Sequence, residues 1–284
     1  MEKKHRMKNI YTFGRKMAKR NYTVRDLQDL KQSNEPALTN CNPGNLSEIQ
    51  ACVEAGIDTL TIRDDQIEMA REIAPHHFVI SGINRWGEFI TKDDFLRHAI
   101  DCMERGADAY YCSRSYEVIE TLAREGIPVQ AHLGLVPSLS HWVGGLRALG
   151  RTADEAMKIF EDFRRCEDAG AFACEIECVA EETLRALNKL TSIVTVSLGS
   201  GKAGDIVSLF MADICGEADI KPKHAHAFGN LMPIHKKLFD ERLKALHNFQ
   251  NAVRTGAFPF KEQTINMREG EEEKLSEALA KIGH

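Results

Sequence analysis

Glu175 and Glu177 stand two apart in the apolar run ACEIECV, and His132 closes a second apolar run, VQAH, just before LGL. Alternate residues of a strand share a face, so the two carboxylates point the same way. Two carboxylates on one buried face cannot both ionise in an apolar shell, so a cation, a proton or a polar cavity has to accompany them. The ordinary structural reading is a salt bridge from Glu175 to a covering helix and a hydrogen-bonded core role for His132. Asp64 and Asp65 directly follow a third run, TLTI. Their ordinary reading is a solvated helix start, where carboxylates are favoured. The glycine pattern LGSGK at 198–202 is too short to argue for a phosphate cradle and reads as a tight turn.

These runs belong to a wider alternation. Short β-rich stretches at 37–40, 59–62, 77–81, 109–112, 129–132, 173–178 and 194–198, with a weaker one at 224–228, are separated by longer helical patterns. Strand–helix alternation predicts the α/β class with a parallel sheet, and eight strands predict a closed (β/α)8 TIM barrel. Helices over 46–55, 92–105, 117–124 and 153–169 are each followed by glycine, at Gly56, Gly106, Gly126 and Gly170, where a left-handed cap is wanted. Thr91 followed by Asp94 marks a capped helix start. The segments EAGID, ERGAD and DAGAF repeat one helix–turn–strand module. Three regions follow: an N-terminal helical extension over 1–36, the barrel over 37–260, and a C-terminal helical tail over 261–284.

Reactive groups of such a barrel lie at the carboxyl ends of its strands. That selects Asn40, Asn42, Asp64, Asp65, residues 82–85, Tyr111, Ser113, His132, Glu175, Glu177 and residues 199–202. A net charge of −5 gives no pull towards nucleic acid or anionic membrane, since only the first twenty residues are locally basic. That basic start lacks the apolar core of a secretory signal, and no apolar run approaches membrane-spanning length, so a cytoplasmic location is expected. The eight cysteines are scattered and several fall inside apolar runs, which predicts buried thiols rather than disulfides or a structural zinc site.

The stretch GIPVQAHLGLVPSLSHWVGGLRALGRTADEA, followed by DAGAFACEIECVAEE, resembles the ketopantoate hydroxymethyltransferase family. In that family HLGLxPQ, GGxxxxGR and LECVP segments occur in this order and at this spacing. The likeness continues more weakly through AGIDTLTIRDDQ, VSLGSGKAGD and RTGAFP, and so covers most of residues 37–260. It implies a barrel of the phosphoenolpyruvate mutase and isocitrate lyase type. It also implies transfer of a hydroxymethyl group from 5,10-methylenetetrahydrofolate to α-ketoisovalerate. There a divalent cation chelated by the 2-oxo acid stabilises an enolate while a carboxylate takes the proton from the adjacent carbon. By this resemblance Glu177 is the base and His132 lines the site.

The departures matter as much. Where the family has Asp-Ser after the second strand, this chain has Asp64 and Asp65. Gly82 stands where the family carries a metal-binding aspartate, and Tyr111-Cys112-Ser113 replaces Lys-x-Glu. Glu175 stands where the family has an apolar residue. The resulting expectation assigns catalysis to Glu177 and His132, substrate contacts to Asp65, Tyr111, Ser113 and Arg85, and a cation to Asp64 with Asp65 and Glu175 as further ligands. Arg63, Arg85 or Lys202 would replace the lost substrate-binding lysine. The expected partners are a small 2-oxo acid and further copies of the chain, with neither nucleic acid nor membrane. The alternative is a non-catalytic ligand-binding or assembly protein on the same barrel.

Overall fold

The computed structural model describes residues 7–33, 35–82, 88–218 and 222–282. The chain divides into two compact units, Met1–Gly229 and Asn230–His284, whereas the sequence reading placed its boundaries after residues 36 and 260. In order, the first unit contains β1 (Lys8–Tyr11), β2 (Met17–Arg20), α1 (Val24–Asp29), β3 (Leu38–Asn42), α2 (Leu46–Ala55), β4 (Thr59–Ile62) and α3 (Ile67–Ile73). It continues with β5 (Phe78–Ser81), α4 (Lys92–Arg105), β6 (Ala109–Tyr111), α5 (Tyr116–Arg124), β7 (Val129–Gly134), α6 (Ala153–Asp168) and β8 (Ala173–Glu177). It ends with α7 (Glu181–Leu187), β9 (Val194–Leu198), β10 (Ile206–Phe210) and α8 (Met211–Cys215). The second unit holds α9 (Met232–Arg254) and α10 (Glu271–Ala280).

Strands β3 to β10 close into a parallel barrel in sequence order, as the alternation predicted. Two sequence expectations are corrected. The eighth strand is β10, not 224–228, which is irregular. β9 reaches β10 through residues 199–205 with no helix between them, so counting strands by strand–helix alternation passes over it. The N-terminal extension is an antiparallel hairpin, Lys8 pairing with Arg20 and Tyr11 with Met17, followed by one short helix. Its strands alternate half-buried and exposed residues, a two-residue period that the run of basic side chains disguises.

The helix signals hold. Gly56 caps α2 with φ 78°, and Thr91 and Asp94 form a reciprocal capping box at the start of α4. All eight cysteines are free, six of them buried.

The pleat sorts each strand into two faces. Leu60, Ile62, Val129, Ala131, Cys174 and Ile176 pack against the helical layer with Phe95, Leu122, Phe163 and Leu184. Inward-facing residues near the amino ends of the strands, Leu38, Phe78, Ala109, Ala173, Val194 and Ile206, form a second core with Tyr22 and Leu27 from the N-terminal segment. The N-terminal segment thus plugs the bottom of the barrel with apolar surface, and the polar interior positions fall above the plug.

An ionic clasp ties the hairpin to this floor. Asp108 accepts from Arg20 Nε at 2.8 Å, Arg71 Nη2 at 2.5 Å and the Val79 backbone N–H at 2.9 Å, and all three side chains are largely buried. Removing one partner of a buried ion pair leaves an uncompensated charge. Asp108→Ala strands two guanidinium groups and is expected to cost about 3–5 kcal/mol in urea unfolding; a loss below about 1 kcal/mol would show that solvent relieves them.

Candidate active site

The site forms where β6, β7 and β8 end. β7 and β8 pair in register, His132 opposite Glu175 and Gly134 opposite Glu177. Gly134 has φ 81°, and a Cβ there would lie 2.4 Å from the Glu177 carbonyl oxygen, so only glycine permits this approach. That is the physical content of the glycine in HLGL. The end of β8 is held on every side. Leu135 N–H donates to the Glu177 carbonyl at 2.8 Å, Cys178 N–H to that of Leu198 at 2.9 Å, and Leu149 N–H to that of Cys178 at 2.9 Å. The buried Ser200 hydroxyl donates to the Ile176 carbonyl at 2.7 Å and accepts from Val179 N–H at 2.8 Å. The GGxxxxGR segment and the glycine turn at 199–201 therefore act as braces for Glu177.

Within this frame four side chains meet. The Tyr111 hydroxyl donates to Glu175 Oε1 at 2.9 Å and lies 2.7 Å from His132 Nδ1. His132 Nε2 lies 3.2 Å from Glu177 Oε2 and 3.8 Å from Glu175 Oε1. Burial raises the Glu175 pKa above the ordinary carboxylate range; His132 and the Tyr111 hydrogen bond pull it down, and the Glu177 charge adds to the rise. Burial, followed by the Glu175 charge, holds the Tyr111 hydroxyl protonated far above its usual value. Glu177 lines a cavity of about 1020 Å³ together with Leu135, Leu146, Val179, Lys223 and His224. His132 and Ser113 line another of about 700 Å³.

Of the other expected residues, Asp64 lies apart from this group. Arg63 is still extended, so strand alternation carries Asp64 to the helix side with Leu60 and Ile62. There its carboxylate pairs with His98 Nε2 at 2.9 Å, and His98 Nδ1 lies 2.8 Å from the Tyr110 hydroxyl. Asp65 is half-exposed and paired with Arg63, and Lys202 is exposed. Arg85 lies outside the described residues. Tyr111, expected to touch substrate, has its hydroxyl engaged by His132 and Glu175.

The expected cation set of Asp64, Asp65 and Glu175 is not gathered among the described residues. A Cβ at Gly82 would lie 2.4 Å from the Tyr111 carbonyl oxygen, so no aspartate fits there without moving the backbone. Among the described residues one group of three potential ligands has its atoms within 4.8 Å of one another: His132, Glu175 and Glu177. Its fit to a cation rests on the buried His132 Nε2, which has no hydrogen-bond partner among the described residues. Sequence reasoning found these three residues separately but missed Gln130, which shares the inward parity of His132. Its buried amide likewise has no protein partner among the described residues.

A closed eight-stranded barrel with a histidine and two acids at the carboxyl ends of adjacent strands defines an enzyme of the (β/α)8 type. The family model described as ketopantoate hydroxymethyltransferase matches residues 51–261, and the chain belongs to that family. A 3-methyl-2-oxobutanoate hydroxymethyltransferase from Hyperthermus butylicus is 30% identical over 90% of this chain and 95% of its own length. One from Ignicoccus hospitalis is 31% identical, with the match covering 60% of this chain and 63% of that protein. In structure, oxaloacetate acetylhydrolase with the inhibitor 3,3-difluorooxalacetate aligns over 95% of this chain and 96% of its own at a TM-score of 0.50 and 12% identity. That likeness concerns the fold. No helix among the described residues is long and apolar enough to cross a membrane.

Because burial raises the Glu175 pKa, the folded protein keeps a proton there that the unfolded chain releases. In chelator-treated protein, stability is therefore expected to fall as pH rises from the ordinary carboxylate value through the raised folded value. Glu175→Gln stays neutral, should lose that decline, and should be the more stable protein above it. Urea unfolding across a pH series reads both; a difference between the two proteins that does not change with pH would contradict a protonated Glu175.

Proposed function

We propose that the chain transfers a hydroxymethyl group to the carbon next to the carbonyl of a 2-oxo acid. By the names of its relatives, 3-methyl-2-oxobutanoate is the first candidate acceptor. The observation that carries this reading is Glu177, an acid braced at the end of β8 that lines the larger cavity and stands beside an imidazole. A base so placed takes the proton from C3 of the acceptor, leaving an enolate that attacks the one-carbon donor. A divalent cation held by His132, Glu175 and Glu177 would supply polarisation of the 2-oxo group. Tyr111 takes no part in the proton transfer. It fixes the His132 ring and the Glu175 carboxylate through one hydroxyl.

For the donor, 5,10-methylenetetrahydrofolate suits the larger cavity, which offers apolar wall from Leu135, Leu146 and Val179 and a cation from Lys223. Assembly into a homo-oligomer belongs to the same reading. Its support is α9, on which Phe239, Leu243, Leu246 and Phe249 are all exposed.

The test is deuterium incorporation at C3 of 3-methyl-2-oxobutanoate, followed by NMR in the presence of Mg²⁺, Mn²⁺ or Co²⁺. Wild type is expected to exchange, and Glu177→Gln to do so at least about 10²-fold more slowly. Absence of exchange with every ion would exclude this acceptor and favour the non-catalytic reading.

A further inference from the structure

We infer that the cation site of this chain has moved across the barrel mouth, to His132 Nε2, Glu175 and Glu177, and that it selects a divalent first-row transition ion over Mg²⁺. The inference does not depend on the reaction above, since it concerns the resting protein.

The tautomer of His132 is the first argument. A Glu175 that ligates a cation gives up the proton it keeps in metal-free protein, and the single proton of the Tyr111 hydroxyl is then spent on Glu175 Oε1. The ring nitrogen 2.7 Å from that hydroxyl must then be the donor, so Nδ1 carries the hydrogen. In the neutral ring Nε2 is left with a bare lone pair. It is buried, and it faces two carboxylates at 3.2 and 3.8 Å. Three acceptors turned towards one another repel unless something positive lies among them.

The placement of Glu177 suits a metal ion better than a shared proton. Glu177 Oε2 is 3.2 Å from Nε2, yet no hydrogen bond joins them, so the carboxylate sits beside the ring-nitrogen axis instead of on it. A shared proton requires the oxygen on that axis. An ion on the axis requires ligands at its flanks. Nitrogen and oxygen ligands bound at roughly 2.0–2.2 Å to one ion lie about 3–4 Å apart, a range that holds both nitrogen–oxygen distances here, 3.2 and 3.8 Å.

The third argument concerns which ion. Mg²⁺ takes oxygen ligands almost exclusively, whereas an imidazole nitrogen beside carboxylates suits Mn²⁺, Co²⁺ or Zn²⁺. Two glutamates balance the double charge. The Tyr111 hydroxyl orients one ligand and fixes the tautomer of another, the role an outer hydrogen-bond partner plays around a bound ion. Tyr111 is thus a positioning residue. Glu177 ligating through Oε2 keeps its second oxygen for a substrate proton. At the ends of β4 and β5 Gly82 admits no acid without backbone movement and Asp64 is paired with His98, so among the described residues that side offers no equivalent set.

Calorimetric titration of chelator-treated, full-length protein with Co²⁺ and with Mg²⁺, and the visible spectrum of the Co²⁺ form, test this. One Co²⁺ per chain with ligand-field bands is expected, and Mg²⁺ binding at least about tenfold weaker. Glu175→Gln should weaken Co²⁺ by about 10-fold or more, Tyr111→Phe should shift the bands and weaken binding more modestly, and Asp64→Asn should leave both unchanged. Circular dichroism confirms the fold of each variant, and His132→Asn gives a second ligand deletion if Glu175→Gln fails to fold. No Co²⁺ binding, equal affinity for Mg²⁺, or binding lost with Asp64→Asn and kept in both ligand variants would each overturn the inference. Failure of deuterium exchange with intact Co²⁺ binding would reject the proposed acceptor and leave the metal site standing.

Discussion

Parallel pairing of β7 with β8 turns an imidazole and two carboxylates into the same desolvated space, and the rest of the upper barrel answers that crowding. Shifting the register by one residue would send His132, Glu175 and Glu177 into the helix layer among Phe163 and Leu184. The register is fixed by several independent contacts at one point: the Gly134 approach, the Ser200 bridge and the Leu149 backbone bond. All of them concern the end of β8. A side chain that has to stay put while its charge changes needs such bracing, because its own hydrogen bonds alter with its protonation state.

The barrel interior is divided to make this tolerable. Its lower part is closed by Tyr22, Leu27, Phe78 and Phe172, an apolar floor beneath the acids. Over on β3, β4 and β10 the interior is polar but neutral. Asn40 Nδ2 donates to Ser208 Oγ at 2.9 Å, and Asn40 Oδ1 accepts from Thr59 at 3.0 Å. Nearby, the Asp64–His98–Tyr110 chain lies on the outer face of the wall and ties β4 and β6 to α4. The acid that the resemblance assigns to a cation is thus paired with an imidazole of the helix layer.

Much of this was legible in the sequence. Two-residue alternation placed Glu175 and Glu177 on one face, and terminal glycines marked the helix ends, because both signals are local. The capping of α4 by Thr91 is of the same kind. What escaped depended on partners distant in sequence. Nothing local in the sequence says that the Tyr111 hydroxyl meets His132 and Glu175. The pairing of Asp64 with His98 spans 34 positions, which no local pattern reveals. β10 was missed because residues 199–205 carry no helix, and the hairpin of β1 and β2 because basic side chains hid its alternation. The family resemblance pointed to Glu177 and His132, and Glu175 stood out as a residue in which this chain departs from the family.

The most direct measurement is a crystal structure of the protein with Co²⁺, recorded at the metal's absorption edge. A single anomalous peak roughly 2.0–2.2 Å from His132 Nε2, with Glu175 and Glu177 as its other protein ligands, is the expected result. A peak at Asp64 with His132 Nε2 left bare, or no peak in the barrel mouth, would contradict the account.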